Sequence, residues 1–167
     1  MTEGIHNIDN LRTETNLGEI LAIATSFEAS ARDFYTGLIP KVSKRIRYLV
    51  EELALEEQHH HTLFRNLAER ADLAEQIRAE VKSFACDSRF SDCIHLPDLG
   101  DNPDDQAVLQ YAMGREHAAM QQYTELAETT PEGPIRDLFR FLASEETKHK
   151  IALEKLYYET IHRGGGV

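Results

Sequence analysis

Two short patterns in this chain carry metal-binding chemistry: Glu57-x-x-His60 and Glu146-x-x-His149. Residues three apart on a helix share a face, so each pattern aims a carboxylate and an imidazole at one point. A single such pair occurs by chance in many helices. Here the second pair lies 89 residues after the first, and the flanking apolar residues repeat with it: Ile46, Val50, Leu53, Ala54, Phe64 and Leu67 fall on Ile135, Phe139, Leu142, Ala143, Leu153 and Leu156. A shift of 88 residues superimposes Leu21, Ala24, Glu28, Ala31, Tyr35 and Leu38 on Leu109, Ala112, Glu116, Ala119, Tyr123 and Leu126. The chain therefore reads as a duplicated helical hairpin. Each hairpin contributes one solitary glutamate and one Glu-x-x-His to otherwise apolar stripes.

Spacings of three and four within each stripe require four helices to position these groups, and strand-like alternation is nearly absent. The first helix is expected from Asn16, where N-L-G-E resembles a capping box, to near Pro40. The second is expected over about 41–70, followed by a short amphipathic piece near 73–82. An irregular stretch from Ser83 to Asp101 separates the halves. Asn102-Pro103-Asp104-Asp105 announces the third helix, with Asn102 as cap and proline at the first helical position, ending near Thr129. The turn T-T-P-E-G-P leads to the fourth, over about Pro134 to His162. Short links make each hairpin antiparallel and the long middle stretch a crossover, which predicts an all-α, ferritin-like antiparallel four-helix bundle in a single domain.

Four glutamates meeting inside such a bundle pose an electrostatic problem. Buried carboxylates without partners take up protons or prevent folding. No lysine or arginine falls on the repeated stripe positions. Two divalent cations would balance four carboxylates and two neutral imidazoles, and the alanines flanking Glu28 and Glu116 leave room for them. Glu28, Glu57, His60, Glu116, Glu146 and His149 are thus the candidate metal ligands. One Glu from each of two helices with Glu-x-x-His from the other two is the donor set of di-iron and di-manganese carboxylate bundles. The competing reading is a bundle whose acids and histidines satisfy each other without metal.

F-E-A-S-A-R-D-F-Y around Glu28, L-A-L-E-E-Q-H-H-H-T-L-F around Glu57, R-E-H-A-A-M-Q-Q-Y around Glu116 and L-A-S-E-E-T-K-H around Glu146 resemble the rubrerythrin-like members of the ferritin superfamily, over roughly residues 17–70 and 103–162. The resemblance implies iron as the metal. It also implies that Glu28 and Glu116 are terminal ligands, that Glu57 and Glu146 bridge, and that His60 and His149 complete one ion each. Two departures stand out. The paired C-x-x-C motifs of a rubredoxin domain are absent from this sequence, so turnover would draw electrons from a separate donor protein. Ala119 stands where classical rubrerythrins supply an extra glutamate, which brings the set closer to bacterioferritin ferroxidase sites.

Neighbouring residues need weighing against the six. Glu57 is preferred over Glu56 because it shares the apolar stripe with Leu53, His60 and Phe64. His59 and His61 are expected in solvent, and His117 to point away from the site. Tyr35 and Tyr123, seven residues after their glutamates, are expected either as core residues with bonded hydroxyls or as partners of the ligand carboxylates with a share in oxidation chemistry.

Net charge −11, from 18 basic and 29 acidic residues, repels phosphate backbones and anionic lipid, so neither nucleic acid nor membrane is an expected partner. No stretch reaches the length of a spanning helix, and the polar start M-T-E-G-I-H-N-I-D-N does not resemble a secretory signal, so a cytoplasmic location is expected. Cys86 and Cys93, even with His95, match no familiar metal pattern and are expected as thiols. The functional expectation is a di-iron redox protein that reduces hydrogen peroxide or oxidises ferrous iron with oxygen or peroxide. The non-catalytic alternative is iron binding or buffering, and manganese or a mixed pair is the alternative metal content. Twofold homodimers are the expected assembly.

Overall fold

The computed structural model describes residues 17–78 and 99–163. Four long helices account for most of them: α1 (Leu17–Leu38), α2 (Lys44–Ala68), α4 (Asp105–Thr129) and α5 (Pro134–Arg163). A 3-10 turn, Ala71–Leu73, and the single-turn helix α3 (Ala74–Ile77) follow α2. No strand occurs among the described residues. The short amphipathic piece expected near 73–82 is thus seen only in part. Asn16, Cys86, Cys93, His95 and most of the crossover lie outside the described residues.

Local chemistry explains where these helices begin and end. Pro40 disfavours helical geometry at the residue before it, and α1 closes at Leu38. The second helix starts three residues later than expected, at Lys44, because Ser43 is the cap: its hydroxyl accepts from the Arg45 amide at 3.3 Å. That hydroxyl also meets the Asp105 carboxylate at 2.6 Å, which ties the α1–α2 turn to the start of α4. Asn102 is not the cap of α4. Asp104 is, accepting from the Gln106 amide at 3.2 Å, so Pro103 lies ahead of the helix and not in its first turn.

Pairs across the bundle fix its directions. Tyr35 meets Glu116 and Tyr123 meets Glu28, so α1 and α4 run antiparallel. His60 stacks on His149 and Phe64 packs near Phe139, which sets α2 and α5 antiparallel. Within the hairpins, Arg32 bonds Gln58 at 2.8 Å and Gln110 bonds Tyr157 at 3.0 Å. In this arrangement α2 and α4 run the same way, so the chain between them has to travel the bundle's length, about 1.5 Å per residue of helix. The apolar core forms two clusters. Leu21, Phe64, Tyr123 and Phe139 anchor one, and Ile46, Leu53, Leu109 and Leu153 the other. The buried acids lie between them.

Gly133 adopts φ +150° at the α4–α5 turn, and a Cβ there would meet Gln76 Nε2 at 2.9 Å. Gly133→Ala should therefore destabilise the protein by about 1–3 kcal/mol, read as a lower urea midpoint with unchanged slope. An unchanged midpoint would show that the turn relaxes at no cost.

Candidate metal centre

All six residues singled out by the repeat come together at mid-bundle. Glu28 and His60 are wholly buried, and Glu57, Glu116 and Glu146 nearly so. The His149 side chain keeps 11% of its surface. Their donor atoms form two sets, each within 4.8 Å: Glu28, Glu57, His60 and Glu146 in one, and Glu57, Glu116, Glu146 and His149 in the other. Only Glu57 and Glu146 belong to both. Each histidine shares its set with the solitary glutamate of its own hairpin, an assignment that spacing alone left open. Glu57 is buried and Glu56 half-buried, as the apolar stripe required.

Several of these donor atoms lack protein partners. Glu28 Oε2, Glu57 Oε2, Glu146 Oε1 and both His60 ring nitrogens are buried without a hydrogen bond. His60 Nδ1 faces Glu28, Glu57 and Glu146 at 3.5, 3.6 and 3.4 Å. His149 Nδ1 faces Glu116 at 3.4 Å and Glu146 at 3.2 Å. Orphaned carboxylate and imidazole atoms converging on two points are what a pair of cations would satisfy.

Protons do that work in the metal-free protein. Burial, with the nearby Glu28 charge, pushes Glu57 well above its ordinary value. Burial and the charges of Glu116 and Glu57 lift Glu146 to about 8. Burial would lower both histidines, but the facing carboxylates prevail. His149 rises to about 11 through Glu116 and Glu146, and His60 rises strongly through Glu146, Glu28 and Glu57. Glu116 goes the other way: burial would raise it, but hydrogen bonds with Glu146, His149 and Tyr35 bring it down to about 2.

The tyrosines are buried and bond to ligand carboxylates, one of the two expectations for them, and they do so across the bundle. Tyr35 donates to Glu116, and Tyr123 donates to Glu28, so each hairpin's tyrosine holds the other hairpin's glutamate. Burial, reinforced by the carboxylate charges, raises both phenols and keeps them protonated donors.

A cation was missed. Arg115, beside Glu116, is buried at 1% exposure although it lies off the repeated stripe positions, which carry no lysine or arginine. Its Nη2 donates to the Phe27 carbonyl at 3.4 Å, and its guanidinium lies 4.6 Å from the Phe27 ring centre. Nη1 has no partner. The signal was available: Arg115 lies seven residues from both Val108 and Gln122, on the broad buried face of α4. His59 is exposed as expected, but His61 is half-buried, and burial with Arg32 and Arg65 nearby lowers its pKa. His117 is half-buried.

The sequence profile of the rubrerythrin family matches residues 19–89 and 107–162, both hairpins with their Glu-x-x-His patterns. The chain belongs to the rubrerythrin family. No match was found among curated proteins or among solved structures. No helix among the described residues of this rubrerythrin family member is long and apolar enough to cross a membrane.

The proton balance sets a pH dependence. Glu146, raised from 4.5 to about 8, stabilises the fold fully below 4.5, and this is lost as pH rises through about 8. For His149 the loss runs from 6.5 to about 11. Glu116 acts oppositely, since its contribution is present above 4.5 and lost as pH falls toward 2. Between about pH 5 and 9 the metal-free protein should therefore lose thermal stability, while its affinity for divalent metal should rise as the protons leave. A melting temperature rising with pH without metal would contradict this balance.

Proposed function

We propose that this chain is a di-iron carboxylate redox protein, passing electrons from ferrous iron to hydrogen peroxide or dioxygen in the manner of a peroxidase or ferroxidase. The observation that carries the reading is the pair of donor sets joined by Glu57 and Glu146. Carboxylate-rich sets with one imidazole each suit iron or manganese better than metals that prefer thiolate, and membership of the rubrerythrin family favours iron. When bound, a ferrous pair supplies two electrons that, with two protons, convert hydrogen peroxide into two waters.

The chain's own residues have distinct parts in this reading. Glu57 and Glu146 would span both positions, Glu28 with His60 would hold one, and Glu116 with His149 the other. Tyr123 and Tyr35 orient the two terminal carboxylates by hydrogen bonds, leaving the remaining oxygens to face the centre. Arg115 adds a fixed, buried positive charge that interacts with Tyr35, Glu57 and Glu116 and offsets part of the carboxylate charge. Apolar clusters on both sides exclude bulk water. Turnover would draw on a separate electron-donor protein, and a homodimer is the assembly proposed from the family.

Adding one equivalent of peroxide to protein loaded anaerobically with two ferrous ions per chain, and following the absorbance, tests the proposal. It predicts oxidation of both ions faster than of free ferrous iron. Oxidation no faster than in buffer would leave iron buffering as the function. The variant Glu28→Ala/Glu116→Ala should stay helical and lose its bound iron, whereas undiminished iron would refute the ligand assignment.

A further inference from the structure

A third group of donors lies outside the six-residue centre but touches it. Glu56 and Glu145 are half-buried, and their carboxylate oxygens come within 4.8 Å of each other and of a His60 ring nitrogen. Each glutamate immediately precedes one of the two shared by the inner sets. One residue along a helix turns the side chain by roughly 100°, so Glu57 and Glu146 face inward while Glu56 and Glu145 face the outer surface. They line an open depression between α2 and α5, together with Leu55, Gln58, His59 and Phe141.

His60 joins the two regions. It is wholly buried, and neither ring nitrogen has a hydrogen-bond partner. Nδ1 faces the inner carboxylates at 3.4–3.6 Å. The ring is also within reach of the outer pair. A neutral imidazole offers one lone pair, so it serves an ion on one side or the other, not both. A ligand shared in that way suits a place that a cation passes through.

We propose that Glu56, Glu145 and His60 form an outer divalent-cation site at the mouth of the centre, which takes ferrous iron from solvent and passes it to the position built by Glu28, Glu57, His60 and Glu146. The proposal rests on the reading of the inner residues as metal ligands. Two outer carboxylates balance one divalent ion. The surface already holds a positive charge there: Lys148 Nζ lies 2.6 Å from Glu145 Oε1. With 68% of its side chain in solvent on a flexible stem, Lys148 can swing away when a metal arrives. Movement inward exchanges oxygen donors for oxygen donors and transfers no electrons, and the protons held by the inner acids leave as the ion enters.

Stopped-flow uptake of Co(II) by the metal-free full chain tests this, because cobalt reports its coordination optically without redox chemistry. The variant Glu56→Gln/Glu145→Gln should load at least about tenfold more slowly than wild type, yet finish with the same number of cobalt ions and the same spectrum. A control, Glu69→Gln/Glu159→Gln, removes as much charge from exposed positions elsewhere and should load close to the wild-type rate. Equal rates for the two variants would overturn the proposal while leaving the inner centre intact. Failure of the wild type to take up two cobalt ions would instead overturn the reading of the inner ligands, and this proposal with it.

Discussion

Four carboxylates enclosed between two apolar clusters are the constraint to which the rest of this bundle answers. A carboxylate in such surroundings needs a cation, a proton or a strong donor within reach. The protein provides some of each: a guanidinium at Arg115, phenol donors from Tyr35 and Tyr123, and imidazoles at His60 and His149. Even so, several oxygens and both His60 nitrogens remain unpartnered. The unmet demand is concentrated at two points, and both points use Glu57 and Glu146. Proton uptake by the shared glutamates and the histidines is therefore the metal-free protein's substitute for divalent charge, which couples metal affinity, stability and pH.

The same constraint explains the crossed tyrosines. Each phenol is contributed by the hairpin opposite the glutamate it binds, so the hydrogen bonds stitch the two hairpins together at the level of the centre. Docking of the hairpins and orientation of the ligands are one event. Binding of metal at the centre would then stabilise the whole bundle and not a single helix, because ligands from all four long helices would be held at once.

Much of this is legible in the sequence. The register of Glu28 with Glu116, and of Glu57-x-x-His60 with Glu146-x-x-His149, identified the four buried acids of the described residues, because helical periodicity is a local property that survives folding. Partners across helices were not legible. Nothing in the spacing of Tyr35 from Glu28 says that its hydroxyl will reach Glu116, which depends on how the hairpins dock. Arg115 does not show in the repeat because its counterpart, Phe27, is apolar, although its place on the buried face of α4 is readable from helical spacing. Asn102 and Asp104 are both good caps, and only the backbone between them, with Pro103 left outside the helix, decided for Asp104. The outer role of Glu56 and Glu145 needed the depression between α2 and α5 to be seen.

Anomalous diffraction at the iron edge, on crystals grown without added metal from protein carrying its native complement, reads the centre most directly. The account predicts two peaks about 3.5–4 Å apart, flanked by Glu57 and Glu146, with His60 beside one and His149 beside the other. A single peak elsewhere, or none with the carboxylates in short contact with one another as protonated acids, would contradict it.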